Sequence, residues 1–249
     1  MQKDSIGQPK DYAWNLANFN GMEKIYSRRR QNSVVEELLN DIPHRILEIG
    51  GGLNSLANFL PNFFLSQCEL HILEPNVSLF ESLISSHHLN SNIFLYNDNC
   101  ESFSKRNEIE FDFVIANSVL HEVDDPLLFL KSAKKTMKSG SKLWINVPNI
   151  NSLHRKIYSS KARKYDYQIS KYGRKHYFGA EDLEELLFEI GFERLRFASS
   201  ILKPMTDEQL FELIMNSENG RKVFDYWLKY KDFTPPFVGA ELDFLFYLS

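Results

Sequence analysis

The chain has 249 residues, with 29 Lys and Arg against 33 Asp and Glu, a formal net charge of -4, and 43% hydrophobic and 25% charged residues. Those proportions belong to globular proteins and exclude disordered, collagenous and fibrous classes. The acidic balance excludes a surface given over wholly to nucleic acid, and the length predicts one large domain with insertions.

Residues 1–40 read as an N-terminal helical segment and cap, with a helix over 26–39 that carries Arg28, Arg29 and Arg30 near its start. The opening Met1-Gln2-Lys3-Asp4 begins no apolar stretch, and no run approaches the ~20 apolar residues of a membrane span, so neither a signal peptide nor a spanning helix is expected. From Arg45 to Ala198 short β-rich runs alternate with amphipathic helical ones, the pattern of an α/β protein with a parallel sheet. Strands are predicted over 45–49, 69–74, 93–96, 111–117, 142–147 and 192–198. Their adjacent apolar residues, in place of strict alternation, predict helices on both faces.

Asp125-Pro126 supplies the N-cap and first-turn proline of a helix with an apolar stripe at Leu127, Leu130, Ala133 and Met137. Lys134, Lys135 and Lys138 crowd its far end, where the helix dipole favours cations, and Gly140 is read as closing it. Residues 181–190 repeat the arrangement, closed by Gly191. Asp124-Asp125 is accounted for by helix capping.

Two segments break the alternation: 149–179, rich in Lys, Arg, His and Tyr, and 203–239, with helical stretches at 207–215 and 220–231 before Thr234-Pro235-Pro236-Phe237. Long connections inside a compact domain are usually functional, and these two are expected to cap the sheet. The division is therefore a ligand-binding core at 41–148, a basic insertion at 149–179, and 180–249 completing the core around the insertion at 203–239. Cys68 and Cys100, as two free thiols, predict a reducing compartment and a cytoplasmic protein; they have no Cys or His partner at metal-ligand spacing, so no metal is expected.

Ligands of open α/β sheets bind outside the carboxyl ends of the strands. The first strand ends in Glu48-Ile49-Gly50-Gly51-Gly52-Leu53-Asn54-Ser55, where glycines permit a tight turn and close backbone approach to a ligand. The second ends in Glu74, an acid suitably placed to accept both hydroxyls of a ribose. Together they predict an adenosine-type ligand. The dinucleotide fingerprint fits imperfectly, because Ser55 stands where Gly or Ala is wanted.

Glu48-x-Gly50-x-Gly52 resembles motif I of the class I S-adenosylmethionine-dependent methyltransferases, with Asn54 in the place of the third glycine. Leu73-Glu74-Pro75-Asn76 resembles that family's ribose-binding strand end. Asp98-Asn99 falls where the family meets the adenine, and residues 111–126 resemble its fourth-strand segment. Leu130, Met137 and Gly140 resemble its next helix and turn.

The resemblance spans about 45 to 192 and implies a Rossmann-like seven-stranded sheet with an antiparallel last strand at 241–248, helices on both faces and a cap formed by insertions. It implies S-adenosyl-L-methionine as cofactor, held by Glu48, Gly50, Gly52, Asn54, Glu74, Asp98, Asn99, Asn117 and Ser118. Asn54 is expected to substitute for glycine by tolerating left-handed backbone angles or by capping a helix.

The resemblance further implies methyl transfer to oxygen or nitrogen, which needs in-line positioning and, for an alcohol or phenol, a base. His121 is the first candidate base, against substrate contact or a hydrogen-bonding role beside Glu122. The basic insertion sets Arg155, Lys156, Lys161, Arg163, Lys164, Lys171, Arg174 and Lys175 against Asp166, interleaved with tyrosines. It reads either as a solvated loop or as a flap for a small anionic acceptor, with His154, Arg155 and His176 as contacts. Val147-Pro148-Asn149, Ser152-Leu153-His154-Arg155, His176 and Phe178 more loosely resemble a subset of bacterial methyltransferases acting on glycan precursors, quinones and specialised metabolites.

Arg30 is placed either on the cofactor carboxylate or at the surface. The alternatives are RNA methylation through the basic aromatic insertion, a non-catalytic cofactor-binding partner protein, and, remotely, a dinucleotide oxidoreductase. Trp227, Tyr230 and Phe233 are candidates for a homodimer contact.

Overall fold

In the computed structural model, which describes residues 21–158, 175–201, 203, 205, 207–229 and 238–249, helix α1 (Gly21–Leu38) precedes β1 (Arg45–Ile49). The chain continues through α2 (Asn62–Leu65), β2 (Glu69–Leu73), α3 (Val77–His87), β3 (Ile93–Tyr96), α4 (Cys100–Arg106) and β4 (Phe111–Asn117). Next come α5 (Pro126–Lys135), β5 (Met137–Pro148), α6 (Leu153–Tyr158), α7 (Ala180–Glu189) and β6 (Phe192–Ser200). Helices α8 (Asp207–Asn216) and α9 (Glu218–Lys229) lead to β7 (Glu241–Leu248). Expectations placed on 1–20, on the insertion's interior at 159–174, on Tyr230, Phe233 and 234–237, and on the Trp227 side chain lie outside the described residues.

The strands form one seven-stranded sheet of order β3-β2-β1-β4-β5-β7-β6. β1 to β5 pair in parallel, whereas β7 runs antiparallel to both β5 and β6. Strand order reverses between β1 and β4, so the crevice at their carboxyl ends is where such a sheet takes a ligand.

Helices cover both faces. On one, Leu47, Val114, Leu143 and Phe244 pack against Phe129 and Leu130 of α5 and Leu183 and Leu187 of α7. On the other, Ile46, Ile115, Trp144 and Leu245 pack against Val34 and Leu38 of α1 and Leu83 of α3. A smaller cluster joins Tyr26 of α1 to Ile201 and Leu210, so the start of α1 and the 203–239 insertion share apolar contacts.

The helix predicted to run to Gly140 is shorter. It ends at Lys135, where Thr136 donates both its N–H and its hydroxyl to the Ala133 carbonyl, and Met137 opens β5. Gly140 (φ +82) sits inside β5, where the ladder jumps from Phe111↔Met137 to Phe113↔Lys142. Ser141 Oγ pins this irregularity by accepting from Lys138 N and donating to the Phe111 carbonyl, and Lys138 pairs with Asp112. Gly191 (φ +87) closes α7 as expected, with Lys134 Nζ donating to the Ile190 carbonyl at 2.6 Å. No helix among the described residues is long and apolar enough to cross a membrane.

Candidate functional site

The turn after β1 reverses through two left-handed glycines, Gly50 (φ +77) and Gly52 (φ +52). The Gly50 and Gly51 amides both donate to the Leu73 carbonyl, at 2.8 and 3.2 Å, fastening the turn to the end of β2. A Cβ on Gly50 would lie 2.5 Å from Val119 Cγ2, and one on Gly51 would lie 2.5 Å from Ile72 Cγ2. A Cβ on Gly52 meets nothing within 4 Å: this glycine faces open space.

Glu74 closes the turn from below. Its carboxylate is 5% exposed and accepts from Gly52 N at 2.8 Å and Asn76 N at 2.9 Å. Burial pushes its carboxyl above the usual range, and the two amides oppose that rise. Glu48 points inward, 1% exposed, and accepts from Ser55 Oγ at 2.5 Å, Leu56 N at 2.8 Å and Gln31 Nε2 at 3.1 Å. Complete desolvation lifts its carboxyl to about 7 against the pull of those three donors and with a push from Glu74.

Asn54 does not play either part expected of it. Its φ is not positive, because Gly50 and Gly52 absorb the reversal, and the cap of the next short turn is Ser55, whose Oγ accepts from Ala57 N. What Asn54 offers is its carbonyl, which accepts from Gln31 Nε2 at 2.7 Å. At the end of β3, Asp98 accepts from Asn99 N and pairs with Arg106, while Asn99 Oδ1 caps α4 by accepting from Ser102 N. Asn97 Nδ2 donates to the Glu74 carbonyl at 2.8 Å, joining the ends of β2 and β3.

Along the carboxyl ends of β4 and β5 and the amino end of β7 runs a buried polar band covered by α1. Asn117 accepts from Trp144 Nε1 at 3.2 Å and donates to Gln31 Oε1 at 3.1 Å. Ser118 takes a left-handed backbone (φ +62), and its amide donates to the Asn146 carbonyl. Asn146 Nδ2 donates to Asp243 Oδ1 at 2.8 Å, and Ser200 Oγ donates to Asp243 Oδ2 at 2.8 Å. Arg29 pairs with Asp243 at 2.8 Å, and Arg30 with Glu241 at 2.6 Å. Burial pushes the Asp243 carboxyl up, but the Arg29 charge and the hydrogen bonds from Arg29, Asn146 and Ser200 hold it below the usual range. Arg30 is therefore not at the surface: it is buried and its guanidinium pairs with the last strand.

The methyltransferase-domain family matches residues 23–196, more than half of the chain. The chain belongs to that family. A curated relative, an uncharacterised protein of Methanocaldococcus jannaschii, is 30% identical over 94 residues, covering 38% of this chain and 44% of that protein, so the match spans less than half of the relative. A solved S-adenosylmethionine-dependent methyltransferase of Thermotoga maritima, described as a possible histamine N-methyltransferase, aligns with a TM-score of 0.60 at 18% identity over 96% of this chain and 99% of that one. The plantazolicin methyltransferase BamL, solved with a triazolic desmethylPZN analog and SAH, aligns at 0.60 with 16% identity over 95% and 94%. The N-methyltransferase NodS of Bradyrhizobium japonicum aligns at 0.57 with 14% identity over 90% and 96%. At such identities the likeness is one of fold, that of the S-adenosylmethionine-dependent methyltransferases.

His121 lies in the turn after β4, 2% exposed, with Nε2 3.7 Å from Glu122 Oε1. Its carbonyl accepts from Lys175 N at 2.7 Å and His176 N at 3.1 Å, so it grips the returning end of the basic insertion. Lys175 Nζ pairs with Asp124 at 2.7 Å, and His176 Nε2 approaches the Asp124 carbonyl at 3.2 Å. The insertion's other end is held by a parallel bridge between Asn149 and Phe178. His154 is buried, with Nδ1 3.2 Å from the Lys203 carbonyl, and Arg155 stacks over the Tyr177 ring at 4.5 Å. His121 and His176 thus meet through the backbone, whereas His154 ties the insertion to the segment after β6.

Sequence reasoning missed Gln31, Glu241 and Asp243. Gln31 had a signal: it falls three and seven residues before Val34 and Leu38, on the face of α1 that packs on the sheet, where an uncharged polar side chain needs partners. Glu241 and Asp243 had a weaker one, as acids at the start of an otherwise apolar last strand.

Proposed function

We propose that this methyltransferase transfers a methyl group from S-adenosyl-L-methionine to an oxygen or nitrogen of a small anionic acceptor. The observation that carries the donor assignment is the turn of Gly50–Gly52, left-handed at both ends, open at Gly52 and braced on the buried Glu74 carboxylate. These residues fit a nucleoside bearing a sulfonium: the Gly52 backbone leaves room for a ligand, and Glu74 stands where a ribose diol needs an acceptor. Glu74 would hold the ribose, Asp98 and Asn99 the adenine, and the backbone from Gly50 to Asn54, with Asn117 and Ser118, the methionine end. When bound, the donor supplies a methyl already activated toward in-line displacement. Glu48 keeps the turn in shape from inside the fold through Ser55, Leu56 and Gln31.

The acceptor reading rests on the charge of the basic insertion, where Arg155, Lys156 and Lys175 belong to a segment whose acid is Asp166. His154, Arg155 and His176 are its candidate contacts. We assign His121 to anchoring the insertion in place of proton transfer, because its side chain is 3% exposed and its carbonyl holds Lys175 and His176.

Calorimetric titration of the purified chain with S-adenosylmethionine and S-adenosylhomocysteine tests the donor. Saturable binding of both, weakened at least about tenfold by Glu74→Ala, is the expected result. Absence of binding by the wild type sinks the reading. Release of S-adenosylhomocysteine, measured across phosphorylated and carboxylated acceptors and RNA, tests the acceptor class; turnover with RNA alone would replace the small-molecule assignment.

A further inference from the structure

We propose that Gln31 is a positioning residue of the donor site: through it the docking of α1 sets the shape of the glycine turn relative to the end of β4. The inference rests on the donor reading above. Gln31 is 5% exposed and belongs to α1, yet its hydrogen bonds reach two other parts of the site. Nε2 donates to Glu48 Oε1 at 3.1 Å and to the Asn54 carbonyl at 2.7 Å, and Oε1 accepts from Asn117 Nδ2 at 3.1 Å.

The direction of every bond in this chain is forced from one end. An indole N–H only donates, so Asn117 must turn Oδ1 toward Trp144 and Nδ2 toward Gln31. Gln31 must then present Oε1 to Asn117 and Nε2 to Glu48 and Asn54. Each amide is used at both ends, and no rotation of either preserves the set. Two residues expected on the donor, Asn54 and Asn117, are thereby held in one register by a side chain that belongs to neither strand.

An apolar side chain at 31 would leave the Asn54 carbonyl and the Asn117 amide without these partners, releasing the turn from β4 while Val34 and Leu38 still anchor the helix. A carboxylate there keeps an acceptor for Asn117 Nδ2 but offers Glu48 and the Asn54 carbonyl no hydrogen, whereas its protonated form both accepts and donates, as the amide does.

The test is calorimetric titration of the full chain with S-adenosylhomocysteine for wild type, Gln31→Leu and Gln31→Glu at pH 6 and pH 8.5, with ligand-free melting of each. Expected are a loss of about tenfold or more in Gln31→Leu with melting lowered by only a few degrees, and a loss in Gln31→Glu at pH 8.5 that shrinks, relative to wild type, at pH 6 as the new carboxyl takes up a proton. Wild-type affinity in Gln31→Leu overturns the inference. Should Gln31→Leu not fold, wild-type affinity in Gln31→Glu at pH 8.5 overturns it instead. A wild type that binds no S-adenosylhomocysteine refutes the donor reading, a different and recognisable failure.

Discussion

Replacing Glu48 by Gln removes a carboxyl group that is wholly buried and whose native pKa stands at about 7 against an ordinary value of 4.5. Below pH 4.5 the group is protonated in both folded and unfolded chains, and its titration contributes nothing to stability. Between 4.5 and 7 the unfolded chain has released this proton while the native chain keeps it, so native stability falls as pH rises. Above 7 the cost is constant. A rise of about 2.5 pH units at about 1.36 kcal/mol each amounts to about 3 kcal/mol.

Glu48→Gln retains an oxygen to accept from Gln31 and Leu56, and its new amide can donate to Ser55 Oγ, so the packing is preserved. The variant and wild type are therefore expected to be of similar stability at pH 4.5, with the variant gaining up to about 3 kcal/mol by pH 8. For a chain of this size that gain corresponds to a relative shift in melting temperature of roughly 6–12 °C. Urea unfolding followed by intrinsic fluorescence at pH 4.5, 5.5, 6.5, 7.5 and 8 measures the difference, from which groups shared by both proteins cancel. Parallel profiles, or a difference that grows toward acid, would refute the assignment of a buried, desolvated carboxyl at this position.

Gly50→Ala combines a left-handed backbone with a Cβ 2.5 Å from Val119 Cγ2 and is expected to cost about 2–4 kcal/mol in urea unfolding. Gly52→Ala meets open space and is expected to cost only about 1–2 kcal/mol from its φ, yet to weaken S-adenosylhomocysteine binding in calorimetry more than its stability loss suggests. Arg29→Met leaves the buried Asp243 carboxylate without its main counter-charge and is expected to cost about 3–5 kcal/mol, much of it recovered in Arg29→Met/Asp243→Leu. In the wild type the Asp243 contribution is complete above the ordinary value of 3.8 and is lost as pH falls through its lower native value. The stability of Arg29→Met should therefore approach that of wild type toward acid pH, which thermal melts at pH 3 and pH 7 would show.

The alternation of strands and helices, the glycine turn and the acid after β2 were legible in the sequence because each is decided within a few residues. Left-handed φ at Gly50 and Gly52 demands glycine locally, and apolar runs of strand length declare themselves whatever lies beside them. Met137 was not legible in that way: it falls seven residues after Leu130, a spacing that continues a helical stripe, and only its pairing with Phe111 makes it the start of β5. Asn54 was given a conformational role that Gly50 and Gly52 had already filled.

The partners of α1 lay beyond any local pattern. Arg29 and Arg30 meet acids more than 200 residues away, on a strand that reaches them because it runs antiparallel beside β5, and Gln31 joins β1 to β4 because α1 crosses the sheet at their carboxyl ends. Charge and polarity in a helix are visible in one dimension; which of them become buried, and against what, is a property of the closed three-dimensional packing. The sequence by itself determined the methyltransferase sheet and its glycine turn, through backbone demands that neighbouring residues must satisfy. Only the tertiary structure decided that two arginines of α1 would pair with β7 and its glutamine with Glu48, Asn54 and Asn117, since long-range partners exist only once burial has made unpaired polar groups costly.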